Sequence, residues 1–157
     1  MASIESSLGR FTSIRVLVPG TGTRFRCGGL SVALQTARLL SRLRPTQLVT
    51  YRQRQSDHPF LDDLLQQDES SEDVLWLVSW GFDVPLLLRR LKGRPVIYQA
   101  HSSGYGFDLP AGVPVLAVSR NTMGYWGDRA PRNPLFFLPN ALEPQWFERG
   151  ARHLALD

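Results

Sequence analysis

Apolar residues fall along this chain in short dense runs, and the stretches between them carry apolar positions at helical spacing. Residues 14–18, IRVLV, form a β-rich run that stops at Pro19-Gly20. Behind them, Leu30, Ala33, Leu34, Ala37 and Leu40 recur at the three- and four-residue intervals of one helix face, which predicts a helix over residues 30–43. A second short strand is expected at 47–51, followed by an acidic surface helix and loop, HPFLDDLLQQDESSED. A third strand at 74–79 leads into DVPLLLRRLKG, which reads as a helix with Asp83 as N-cap, Pro85 in the first turn and Gly93 just past the end. Further strands are expected at 95–100, 113–118 and 135–138. Ser119 is placed to cap a helix running through Met123 and Trp126, and PNALEPQWFERG leads into a terminal helix or linker.

Runs such as VLWLV, PVIYQA and PVLAV have almost no polar alternation, which suits strands buried on both faces of a parallel sheet. Their alternation with helices predicts an α/β domain: a Rossmann-like, doubly wound parallel sheet of about six strands with helices on both faces. In that architecture ligands bind beyond the carboxyl ends of the strands. The loops to search are therefore PGTGTRFRCGG, SWGF, AHSSGYGF, SRNT and PNAL.

Composition narrows the picture only in places. The length, 157 residues, fits one domain, and the single Cys27 excludes an internal disulfide framework and a cysteine-rich zinc site. The first 13 residues are polar, and the most apolar stretch, residues 74–88, is broken by Asp83 and Pro85 and is too short to span a bilayer, so a cytoplasmic protein is expected. Eighteen basic against fourteen acidic residues leave a net charge of +4. The arginines are dispersed, with no zinc finger, RNP-like motif or helix-turn-helix to organise them, so no nucleic-acid partner is expected. Arg89, Arg90 and Lys92 beside leucines read either as a solvated helix face or as a peripheral contact with anionic membrane lipid.

The glycine-rich first loop invites a phosphate reading. Gly20-Thr21-Gly22 begins like a dinucleotide fingerprint, but Phe25 stands where the third glycine belongs, and the second strand ends LVTYRQRQ without an acidic residue. No Gly-Lys-Ser/Thr closes a P-loop. What remains is Gly28-Gly29 just before the helix: either backbone amides brought against an anion, or a tight turn that lets helix pack on strand. His101, at the end of a buried strand, reads either as a donor or proton carrier beside a phosphate or as a structural histidine. His58 and His153 have no such setting, and three dispersed histidines with one cysteine offer no metal spacing.

Taken in order, the first strand with its Gly-Gly loop and long helix, VIYQAHSSG, VLAVSRNTMGYW and FFLPNALEPQWF resemble the amino-terminal half of a GT-B glycosyltransferase, closest to the family 4 type. The resemblance covers residues 14–147, with 148–157 as a terminal helix or linker toward a second domain. It departs from the family where Ala141-Leu142-Glu143 replaces the usual glycine, aliphatic, aspartate continuation after Asn140. It implies a retaining, metal-independent glycosyltransferase that takes a sugar from a nucleotide-diphosphate donor to a glycan or lipid-linked acceptor, without a further cofactor. The donor is held mostly by a carboxyl-terminal domain whose paired glutamates this chain lacks, so the chain is expected to be inactive alone. Within this half the resemblance assigns Gly28 and Gly29 to the donor diphosphate and His101 to catalysis near the sugar. It sets Trp80 and Tyr105 on the acceptor side, where core or ordinary loop roles are the alternative. The competing expectation is a non-catalytic module of the same fold that binds a glycan, lipid or protein.

Overall fold

Six short strands, all parallel, form one sheet in the computed structural model, which describes residues 9–67 and 71–140. They are β1 (Ser13–Val18), β2 (Thr46–Thr50), β3 (Val74–Val78), β4 (Val96–Ala100), β5 (Val115–Ala117) and β6 (Leu135–Phe137), in the order β2-β1-β3-β4-β5-β6. Four α-helices accompany them among the described residues: α1 (Gly28–Leu40), α2 (Leu61–Gln67), α3 (Val84–Arg90) and α4 (Arg120–Arg129). The chain passes from β4 to β5 without a helix.

Successive side chains of a strand point to opposite faces, so each apolar run feeds two cores. On one face Ile14, Val16, Val18 and Leu77 pack with Leu30, Ala33 and Ala37 of α1. On the other, Leu17, Trp76, Val78 and Tyr98 pack with Leu61 of α2, Val84 and Leu87 of α3 and Trp126 of α4. Burying a side chain such as Leu87 stabilises the fold by about 1.5–3 kcal/mol, which explains why β3, flanked on both sides, reads VLWLV. Helices thus lie on both faces, one on the first and three on the second.

Coverage thins toward β6. Its Phe136 aligns with Leu116 of β5, on the α1 face, yet is 54% exposed, while Phe137 on the opposite face is 47% exposed. β6 is an edge strand with apolar side chains on both sides.

The expected strands all form, each within a residue or two of its predicted limits. The first helix differs: it starts at Gly28, not at residue 30, and ends at Leu40, so the two glycines open the helix instead of preceding it. Ser119 caps α4 as expected, its hydroxyl accepting from the Thr122 amide at 3.1 Å. Asp83 occupies the N-cap position of α3, and Pro85 its first turn, but the Asp83 side chain makes no capping bond. Gly93, past the end of α3, has φ +84°, a left-handed conformation that favours glycine. The terminal helix or linker expected over residues 148–157, and Phe147 before it, lie outside the described residues. Among those described, no helix is long and apolar enough to cross a membrane.

Candidate functional site

β1 is hydrogen-bonded to β2 on one side and β3 on the other, so the chain leaves these central strands in opposite directions, the switch point at whose carboxyl ends doubly wound sheets form their ligand crevice. The first wall is the start of α1. Cys27 is its N-cap, with extended backbone and no side-chain capping bond. The Ser31 amide donates to Cys27 O at 3.2 Å, so the helical ladder begins there and the amides of residues 28–30 have no acceptor within the helix. They also sit at the positive end of the helix dipole.

Glycines in this loop serve different ends. A Cβ on Gly20 would lie 2.5 Å from the Phe25 ring, so Gly20 is small because Phe25 folds over it. At Gly28 a Cβ would meet nothing within 4 Å, and at Gly29 it would make only ordinary contacts, 3.7 Å to Cys27 Sγ and 3.8 Å to the Trp80 ring. Neither has a positive φ. The tight-turn reading of Gly28-Gly29 therefore finds no support in the packing or the backbone of this chain. The loop itself is tied down by Thr21, whose amide and hydroxyl both donate to Gln55 Oε1, at 2.9 and 3.0 Å.

The second wall follows β3. Trp80 packs against both hydrophobic cores and touches the start of α1, so the structure brings it together with Gly29. Behind it, a Cβ on Gly81 would lie 2.2 Å from the Tyr105 ring, which occupies the glycine's open side. Tyr105 also meets Phe82 edge-on, with ring centroids 4.9 Å apart, and stacks toward Phe107 at 6.1 Å. Phe82 itself is 80% exposed. Trp80 and Tyr105 thus occupy one loop cluster as partly buried aromatic residues, joined through Gly81.

His101 stands on the same edge, directly after β4, one strand beyond β3 in the sheet. It is half-buried, its Nε2 has no hydrogen-bond partner, and burial lowers its pKa from the usual 6.5, which keeps the ring neutral at pH 7. Two residues earlier Gln99, 4% exposed, leaves its Oε1 unpaired as well. The carboxyl end of β4 therefore carries two polar side chains with unused hydrogen-bonding capacity. Gln99 had no distinguishing signal in the sequence beyond being a polar residue within an apolar run.

A third feature was not legible at all. Tyr51, immediately after β2, donates its hydroxyl to Asp83 Oδ2 at 2.7 Å, and the Arg52 guanidinium pairs with Oδ1 at 2.5 Å. Burial and the neighbouring carboxylate raise the Tyr51 phenol far above its ordinary pKa, so it stays a donor. The network links the end of β2 to the start of α3 across β1, and it explains why Asp83 does not cap its helix. At the same rim Arg24, Arg26 and Arg120 are exposed, with the Arg24 guanidinium 4.5 Å above the Phe25 ring. Because α4 follows β5 directly, its N-terminus faces this edge too.

The arrangement suits an anion better than a metal. Two helix N-termini and exposed arginines supply positive potential, whereas no group of three His, Cys, Asp or Glu side chains comes together among the described residues. His101 and Gln99 add neutral hydrogen-bonding groups, and Trp80 a flat apolar surface. No family model, no curated protein and no solved structure matches the chain.

Proposed function

We propose that the crevice binds the diphosphate of a nucleotide-sugar and that this domain is the acceptor-side half of a retaining, metal-independent glycosyltransferase. The observation that carries the reading is the pair Gly28-Gly29 at the first turn of α1. Glycine in a helix costs roughly 0.5–1 kcal/mol relative to alanine. Among the described residues nothing packs against Gly28 closely enough to require it and neither glycine has a positive φ, which supports a role in leaving the amides open to a ligand. In a transfer reaction these amides stabilise the charge that grows on the leaving diphosphate. His101, neutral and unpaired at Nε2, offers a hydrogen bond to the sugar or to a phosphate oxygen. Trp80 and Tyr105 offer aromatic surface to the acceptor. The ordered set of segments that resembles the GT-B amino-terminal half supplies the reaction class. In the resembled family a second domain supplies most donor contacts, so residues 1–157 tested alone are expected to bind donor weakly and not to turn over.

The test is an amide-resolved NMR titration with pyrophosphate and with a uridine-diphosphate sugar. Binding should move the amide signals of residues 28–31 first and the His101 ring signals next. Gly29→Val should abolish the shifts while leaving the fold intact. Absence of shifts in this loop at millimolar ligand would overturn the diphosphate reading.

A further inference from the structure

A cavity well suited to a small molecule is at the other end of the sheet. A half-open groove of about 710 Å³ runs past the amino-terminal ends of β3, β4 and β5, a volume within the range of roughly 300–1,000 Å³ typical of small-molecule sites. It exists because of how the chain crosses over. The β4–β5 connection has no helix, and its return leg through Pro110, Ala111 and Val113 forms one wall opposite the end of α3. The surface between is apolar, from Leu75, Leu88, Val96 and Ile97. One rim is cationic: Arg89 and Lys92 line it and are exposed. The acid that also lines it, Asp108, pairs with Arg129 at 3.0 Å, away from those cations.

An apolar trough with two exposed cations at one side is complementary to a molecule that has a hydrocarbon body and one negative end. We infer that this groove binds a single-chain anionic amphiphile of the fatty-acid class. The hydrocarbon lies along Leu88, Val96 and Val113 on the α3 face, and the carboxylate meets Arg89 and Lys92. Prolines 95 and 114 lack amide hydrogens at the starts of β4 and β5, and the half-buried Arg94 beside Pro95 adds a third cation to the lining. The inference is independent of the crevice at the opposite edge, and either site can fail without the other.

Decanoate, below its micelle concentration, is titrated calorimetrically into the full chain. Saturable one-to-one binding is expected, and 1-decanol should bind at least tenfold more weakly. The double charge reversal Arg89→Glu/Lys92→Glu should weaken decanoate binding at least tenfold, since both side chains are exposed and their loss leaves the core alone. Ala111→Trp, at an exposed position on the wall, should fill the groove and reduce binding comparably, with circular dichroism confirming the fold. The inference is overturned by no binding of monomeric decanoate, by equal binding of decanol, or by decanoate binding indifferent to the charge reversal. Binding only to phosphatidylglycerol vesicles, with no uptake of monomeric decanoate, also overturns it and makes the cationic rim a membrane contact.

Discussion

Glycine 28 and glycine 81 are alike in the sequence and opposite in the structure. An alanine at 28 meets open space, so Gly28→Ala should fold at least as well as the parent and gain up to about 1 kcal/mol from lost freedom in the unfolded chain. An alanine at 81 must displace the Tyr105 ring, and should cost about 1–2 kcal/mol in urea unfolding. In a Tyr105→Ala background most of that cost should vanish, and a double-mutant cycle showing additivity would refute the contact. His101 makes a prediction about pH. Its folded pKa lies below the unfolded value of about 6.5, so the unfolded chain takes up the proton first as pH falls. Stability contributed by the neutral ring is present above that value and declines as pH drops through it toward the folded pKa. His101→Gln should flatten this part of the stability profile. Sequence placed His101 and the glycines at the carboxyl ends of strands, because strand ends are easy to read. It could not show that Tyr105 fills the space at Gly81, since 24 residues and a strand separate them and no periodicity links loop to loop.

Among the elements, strands were the most legible, because burial on both faces writes a continuous apolar run. Helix starts were less so. Gly28-Gly29 reads as a break by propensity, yet the helix begins there, held by the packing of Leu30, Ala33 and Ala37. The two candidate caps make a contrast that can be measured. Ser119→Ala removes the bond to the Thr122 amide and should cost about 1 kcal/mol. Asp83 is an N-cap by position and a tie between elements by chemistry, so its main partners are Tyr51 and Arg52. Tyr51→Phe leaves one oxygen of a buried carboxylate without its donor and should cost about 1–3 kcal/mol, with the end of β2 losing hydrogen-exchange protection first. A role confined to capping α3 would leave Tyr51→Phe near neutral. Nothing in the spacing of Asp83 from Tyr51 and Arg52 announces this network, because β1 lies between the strands that carry them.

At the scale of the molecule, the two ends of the sheet have different characters. The carboxyl edge gathers amide dipoles, arginines and unpaired polar groups, and the amino edge an apolar groove under a cationic rim. Alternating strands and helices located the first of these edges in advance, as in any doubly wound sheet, but not the unpaired Gln99 on it. The groove was hidden because its walls come from separate stretches around β3, α3 and the β4–β5 connection, and only the missing crossover helix brings them face to face. Purified residues 1–157 should transfer no sugar from a nucleotide-diphosphate donor, and measurable turnover by this chain alone would refute the half-enzyme reading.

The central position of β1 also sets a timetable. Its two neighbours are β2, complete at residue 50, and β3, complete at residue 78. A nascent chain emerging from the ribosome therefore holds β1 with one side unpaired until its length passes that second point. During this interval Val16 and Val18 belong to an open strand edge that can recruit another chain. Each parallel pairing must also wait for its crossover to close, which slows assembly relative to a hairpin. Slower translation across residues 51–78 should lengthen this interval and increase the aggregated fraction, measured by pelleting of a synonymously recoded chain.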